Sequence, residues 1–114
     1  MTSKQRRRDE IPYGTLGMLI LKTLSAAKEM HGFQIADYIQ ENTESVLNVE
    51  EGSLYPALQR LLMQGWVTAA WGRTEGNRRA RYYRLTPAGR KQLEREMEQY
   101  YRLTHAIGRI LEPA

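Results

Sequence analysis

Five arginines fall within a stretch of twelve residues: Arg73, Arg78, Arg79, Arg81 and Arg84. A guanidinium offers five N–H donors in a planar fork, which suits phosphate oxygens and the acceptor edge of guanine. The one carboxylate among them is Glu75, so the cluster lacks the mixed signs of a merely solubilising surface. Upstream, Ser53, Tyr55, Gln59 and Arg60 bring hydroxyl, amide and guanidinium groups to one short segment with Pro56 and Met63. Such groups can bond base edges and phosphates, and equally well make an ordinary solvated helix face. Other chemistry is sparse. The two histidines, His31 and His105, are far apart and lack acidic neighbours at metal-ligand spacing. His31 precedes Gly32 and suits a helix cap or a phosphate contact; His105 suits an interface or a solvated face. No phosphate-binding glycine loop and no nucleophile elbow occurs. Glu50-Glu51 precedes a helix start, where negative charge favours the dipole. No enzymatic activity, cofactor or metal is expected.

These groups need elements to hold them. From Thr15 to about Lys28, Leu16, Leu19, Ile20, Leu24 and Ala27 recur at helical spacing, with Gly14 or Thr15 as the cap. A second helix is expected from Gly32 to Glu44, with Ile35 and Ile39 inward. A third begins near Gly52 or Ser53: Ser53 is a good N-cap, Pro56 falls in the first turn, and Gly65 ends the helix. Its core stripe is Leu54, Leu58, Leu61 and Leu62. Trp66 to Trp71 and Arg81 to Leu85 read as strands joined across Gly76-Asn77, giving a long-tipped basic hairpin. Thr86-Pro87 opens a last helix that can reach Leu111, ~37 Å at ~1.5 Å per residue. Along it, Leu93, Tyr100 and Ile107 repeat at seven, and Met97, Thr104 and Leu111 repeat at seven between them. That is a coiled-coil seam, and a second copy of the chain is its expected partner, assisted by Leu16 and Leu19.

The fold class is therefore mainly α with a small β-hairpin: a winged helix-turn-helix with a long C-terminal dimerisation helix. Residues 1–12 are expected to form a flexible basic arm, 13–86 the winged domain, and 87–114 the dimerisation helix. The chain has 114 residues, a net charge of +4 and no cysteine, so disulfides and thiolate chemistry are excluded. Positive charge gathers at Lys4, Arg6, Arg7 and Arg8 and again in the hairpin. Between Lys28 and Arg60 there is no lysine or arginine, while Glu29, Asp37, Glu41, Glu44, Glu50 and Glu51 lie there. Two basic patches flanking one surface imply a polyanionic partner, nucleic acid first. The apolar run Leu16 to Leu24 is about half of the ~20 residues that a membrane span needs, and no signal peptide is visible. A cytoplasmic, membrane-free location is expected.

The strings GTLGMLILKTLSAAKEMHGFQIADYI, EEGSLYPALQRLLMQGWV and GNRRARYYRLTPAGRKQL resemble the PadR family of bacterial transcriptional regulators, over nearly the whole chain from Gly14. The string G-S-L-Y-P-A-L-x-R-L with a downstream Y-Y-x-L-T-x-x-G carries the resemblance. The single C-terminal helix is similar to the smaller PadR class, and the wording around NRRARYYRLT resembles an acidobacterial-type subgroup. The resemblance implies a homodimer on double-stranded operator DNA, mostly as a repressor, with no catalytic role. It implies recognition-helix contacts at Ser53, Tyr55 and Arg60, backbone contacts at Tyr13 and His31, and wing contacts at Arg78 and Arg79. Gln59 and Arg73 join these on chemistry and charge alone. Members of the family often respond to small aromatic molecules, some through a tryptophan on the last helix. Here Trp66 and Trp71 lie in the hairpin region instead, and Tyr100 and Tyr101 are the groups that could stack on a flat effector or simply pack. The alternative reading is a winged-helix protein–protein module whose basic wing meets an acidic partner.

Overall fold

The computed structural model describes residues 14–112. The expected basic arm and Tyr13 lie outside the described residues. Four helices and three strands follow in the order α1 (Thr15–Ser25), β1 (Met30–His31), α2 (Gly32–Asn42), α3 (Glu51–Met63), β2 (Val67–Arg73), β3 (Arg79–Leu85) and α4 (Pro87–Leu111). The sheet order is β1-β3-β2, antiparallel throughout.

α1 is the centre of the core. Ile20, Leu21 and Leu24 are almost fully buried with Ile35 of α2, Leu54 and Leu58 of α3, and Val67 of β2. Leu16 and Leu19 are only half-buried beside this cluster, whereas Met18 and Leu21, absent from the expected stripe, lie inside it. The helix stops at Ser25, three residues short of Lys28. The Ser25 hydroxyl donates to the Lys22 carbonyl at 2.6 Å and the Ala26 N–H to Thr23 O at 3.1 Å, closing the last turn early. α2 likewise ends at Asn42. Its side-chain amide donates to Tyr38 O, the Thr43 hydroxyl donates to Ile39 O, and Glu44 and Ser45 then adopt positive φ of 52° and 66°. The outward face of α2 carries Gln34, Asp37, Tyr38 and Glu41, all exposed.

α3 starts earlier than its sequence suggests. Glu50 is extended (φ −79°, ψ 147°) and its carbonyl accepts from the N–H groups of Ser53 and Leu54, so Glu50 is the cap and Ser53 lies within the first turn. Pro56 consequently falls inside the helix rather than in its first turn. The bond it cannot make is the one to the Gly52 carbonyl, four residues back; Gly52 is exposed, and nothing lies within 4 Å of the Cβ it lacks. The buried stripe is Leu54, Ala57, Leu58 and Leu61, with Leu62 half-buried. Gly65 (φ 77°) ends the helix: its N–H donates to Leu62 O and the Trp66 N–H to Leu61 O, both at 3.0 Å, a complete Schellman motif. Trp66 therefore belongs to this cap, ahead of the hairpin strands.

The hairpin register pairs Val67 with Leu85, Trp71 with Arg81 and Arg73 with Arg79. Its turn is closed by the Thr74 N–H on Arg78 O and the Asn77 N–H on Thr74 O, both 2.9 Å, with Asn77 at φ 64°. β1 was not foreseen as a strand: Met30 and His31 pair with Tyr83 and Tyr82. α4 begins as its sequence demands, the Thr86 hydroxyl accepting from the Gly89 N–H at 2.9 Å with Pro87 next in the chain. It docks by its first half against α1. Leu93 is buried at 4% and Met97 packs against the same cluster, so these two seam positions serve the chain's own core. Beyond them Tyr100, Tyr101, Leu103, Ile107, Ile110 and Leu111 are exposed.

Candidate nucleic-acid interface

α3 and the wing face a common groove of roughly 340 Å3. Tyr55 and Gln59 line it from α3, Trp71, Arg79 and Arg81 from the wing, and His31 and Phe33 from the start of α2. The α3 register produces this directly: Leu54, Ala57, Leu58 and Leu61 turn inward, which leaves Ser53, Tyr55, Gln59, Arg60 and Met63 exposed. Ser53 sits at the N-terminal end of that face and Arg60 in the last turn.

Tyr55 is the hinge of the groove. A Cβ on Gly32 would come within 2.7 Å of the Tyr55 hydroxyl oxygen, so the ring packs on the bare backbone at the start of α2. Burial, then the charge of Glu51, then Tyr83, push the phenol pKa upward from 10.0. The hydroxyl therefore remains a neutral donor and acceptor at neutral pH. His31 caps α2. Its Nδ1 accepts from the Gln34 N–H at 3.4 Å while the Gln34 side-chain oxygen accepts from the His31 N–H at 3.0 Å, a reciprocal capping box. That bond leaves Nδ1 without a hydrogen, so Nε2 is the nitrogen with an N–H to offer. The ring also stands edge-on to Tyr82 at 5.4 Å.

The wing arginines occupy three different situations. Arg73 is drawn into the turn, donating to the Asn77 carbonyl at 3.1 Å. Arg78 lies in the turn itself, exposed, with its backbone N–H on the Thr74 hydroxyl. Arg79 lies over the Trp71 ring, its guanidinium carbon 4.4 Å from the ring centroid. Arg81, 5.8 Å from Trp71 and 5.9 Å from Tyr83, lies near two rings. Arg84 is turned away and pairs with Glu29 at 3.1 Å. Of the residues named from the sequence, Tyr55, Gln59, His31 and Arg79 line this groove, and Ser53, Arg60, Arg73 and Arg78 lie on the exposed surface of α3 and the wing. Arg81 was named only as part of the basic cluster, and Trp71 and Phe33 were given no part in the site. The period-two spacing of Trp71 and Arg73 against Arg79, Arg81 and Tyr83 held that information once the turn fixed the register.

Residues 20–95 match the model of the transcriptional regulator PadR-like family. Among solved structures, the chain is similar to a transcriptional regulator from Clostridium thermocellum, at 27% identity and a TM-score of 0.79, covering 87% of this chain and 95% of that one. A PadR family transcriptional regulator from Eggerthella lenta matches at 28% identity and a TM-score of 0.75, over 89% and 85%. Bacillus subtilis PadR, whose structure is a complex with operator DNA, shares the fold at 24% identity and a TM-score of 0.66, over 76% of this chain and 48% of that one. The chain belongs to the PadR-like family of transcriptional regulators.

Proposed function

We propose that this PadR-like regulator is a homodimeric, sequence-specific binder of double-stranded operator DNA that acts as a repressor in the cytoplasm, without catalytic activity. The observation that carries the reading is the shared groove: α3 places Tyr55 and Gln59, and the wing Arg79 and Arg81, around one concave surface. α3 enters a major groove with Ser53, Tyr55, Gln59 and Arg60 toward the bases and phosphates. The wing, with Arg73, Arg78 and Arg79, reaches the flanking backbone or minor groove. Tyr13 and His31 add backbone contacts. The operator complex of Bacillus subtilis PadR supports the reading by analogy of fold.

The two protomers join through the exposed half of α4. Tyr100, Thr104, Ile107 and Leu111 continue the heptad, and Leu103 and Ile110 repeat at seven alongside it. Leu16 and Leu19 of α1 extend the contact beside Leu93 and Met97. Tyr100 and Tyr101 stand edge-on at 5.5 Å, and an aromatic effector would meet them; fluorescence titration with planar dyes, paired with DNA release, tests that element.

Selection of bound sequences from a random duplex pool tests the whole. The expected product is a near-palindrome with half-sites one helical turn apart, ~34–36 Å. Its affinity should fall with salt at a log–log slope of about −0.9 per phosphate contacted. Arg60→Ala should lose ~1–3 kcal/mol of discrimination at one base position. Equally tight binding to every duplex overturns sequence specificity. No binding at low salt overturns DNA as the partner and favours an acidic protein on the basic wing.

A further inference from the structure

Two arginines share one tryptophan. Along one face of the hairpin run Tyr83, Arg81, Trp71 and Arg79, with Trp71 directly opposite Arg81 and diagonal to Arg79. Tyr83 is 4% exposed and fixes the inner end of this row in the core, while Trp71 is 60% exposed. Among the described residues neither Arg79 nor Arg81 pairs with a carboxylate; the ion pair of the hairpin is Arg84 with Glu29.

The type of contact matters. A salt bridge occupies N–H donors, but a ring attracts a guanidinium by its flat face and leaves the donors at its edge free. Arg79, 4.4 Å over the indole, is thus held and still able to donate. An unrestrained arginine would lose its rotamer freedom on meeting a phosphate, at a cost to affinity.

We propose that Trp71 is a positioning residue for DNA binding: it acts through Arg79 and Arg81, holding them in the orientation in which they engage the duplex. The inference rests on the DNA-binding reading above and adds to it a residue that the chemistry of the wing arginines alone does not reveal. It also makes Arg79→Lys a damaging change, since an ammonium stacks less well and cannot fork.

The test uses the full chain and the operator recovered from the random pool, with binding followed by fluorescence anisotropy across a salt series. Trp71→Ala should weaken operator binding roughly five- to ten-fold, the size expected when one or two exposed ring–cation contacts are lost. Its salt slope should stay unchanged, because the same phosphates are met once bound. Arg79→Ala should instead flatten the slope by about 0.9. Trp71→Phe should recover most of the affinity, and Trp71→Leu, which keeps apolar bulk without a ring, should not. In an Arg79→Ala/Arg81→Ala background, Trp71→Ala should have no further effect. The proposal is overturned if Trp71→Ala keeps its full effect in that background, which would make Trp71 a direct contact, or if Trp71→Leu binds as wild type. Thermal melts of each variant separate loss of fold from loss of binding, and the Phe and Leu pair decides the matter if the alanine variant melts early. Failure to recover any operator overturns this inference together with the DNA-binding reading; recovery of an operator indifferent to Trp71 overturns the inference alone.

Discussion

Replacing Gly89 with alanine should damage this protein far more than one methyl group suggests. Gly89 is buried in the first turn of α4. A Cβ built there collides with the carbonyl oxygen of Trp66 and lies 2.9 Å from both the Trp66 carbonyl carbon and Leu85 Cδ1. Backbone cannot rotate away as a side chain can, so α4 must lift from the sheet. The lift disturbs a compact set of bonds: the Gly89 N–H on the Thr86 hydroxyl at 2.9 Å, that hydroxyl on Gly65 O at 2.8 Å, and the Thr86 N–H on Trp66 O at 3.1 Å. Overpacking alone costs ~1–3 kcal/mol. A weakened cap and one strained hydrogen bond add ~1 kcal/mol each. Against this, alanine is favoured over glycine in a helix by up to ~1 kcal/mol. The net expectation is ~2–4 kcal/mol of destabilisation, which for a domain near 100 residues lowers Tm by ~10 °C or more. The assay is thermal unfolding by circular dichroism at fixed protein concentration, since the melt of the proposed dimer would depend on concentration. Gly52→Ala is the matched control: nothing lies within 4 Å of its added Cβ, so its Tm should hold or rise. A Gly89→Ala melt within ~2 °C of wild type would refute the packing argument.

Three further outcomes can be checked. Ile107→Glu puts a charge in the proposed seam on a side chain that is 47% exposed in the single chain; sedimentation should show dissociation at micromolar concentration with the fold intact, and an unchanged dimer would place the interface elsewhere. His31→Ala removes the α2 cap and should cost ~0.5–2 kcal/mol in urea unfolding, whereas His31→Asp should retain most of it; equal losses would mean that the cap contributes little. The Tyr55 phenol, raised by burial and by Glu51, should titrate above 10 in the difference absorbance between wild type and Tyr55→Phe. Its folded pKa exceeds its unfolded one, so the stability it contributes is complete below the unfolded value and lost as pH climbs through the folded one. A midpoint at or below the free-tyrosine value, or one insensitive to Glu51→Gln, would contradict the assigned causes.

Features set by neighbouring residues were legible before any coordinates. Thr86-Pro87 and Gly65 punctuate the chain as their side chains and φ angles require, and α4 runs to Leu111 as its heptad indicated. The α3 start was misread because Ser53 is an excellent cap in isolation; the extended Glu50 and its carbonyl bonds, a matter of how the chain enters from Val49, took precedence. β1 escaped because two residues carry no periodicity, and Met30-His31 becomes a strand only by pairing with Tyr83 and Tyr82 some fifty residues away. The split of the α4 seam was hidden for the same reason. Leu93 and Tyr100 are equivalent in the repeat, and only the position of α1 decides that Leu93 is covered within the chain. Within the candidate interface, residue types pointed to Tyr55, Gln59 and Arg79, but the stacking of Arg79 on Trp71 depended on strand register.

The outward face of α2 has Asp37 and Glu41 where the wing has arginine. With exposed acids on one element and exposed guanidiniums on another, the charge is unevenly spread, and an uneven spread orients a molecule near a polyanion. Approaching acid-first, it is pushed off; approaching wing-first, it is drawn in. Much of the rotational search that docking ordinarily demands would therefore be completed before first touch, and arrival should slow steeply as added electrolyte erases the torque.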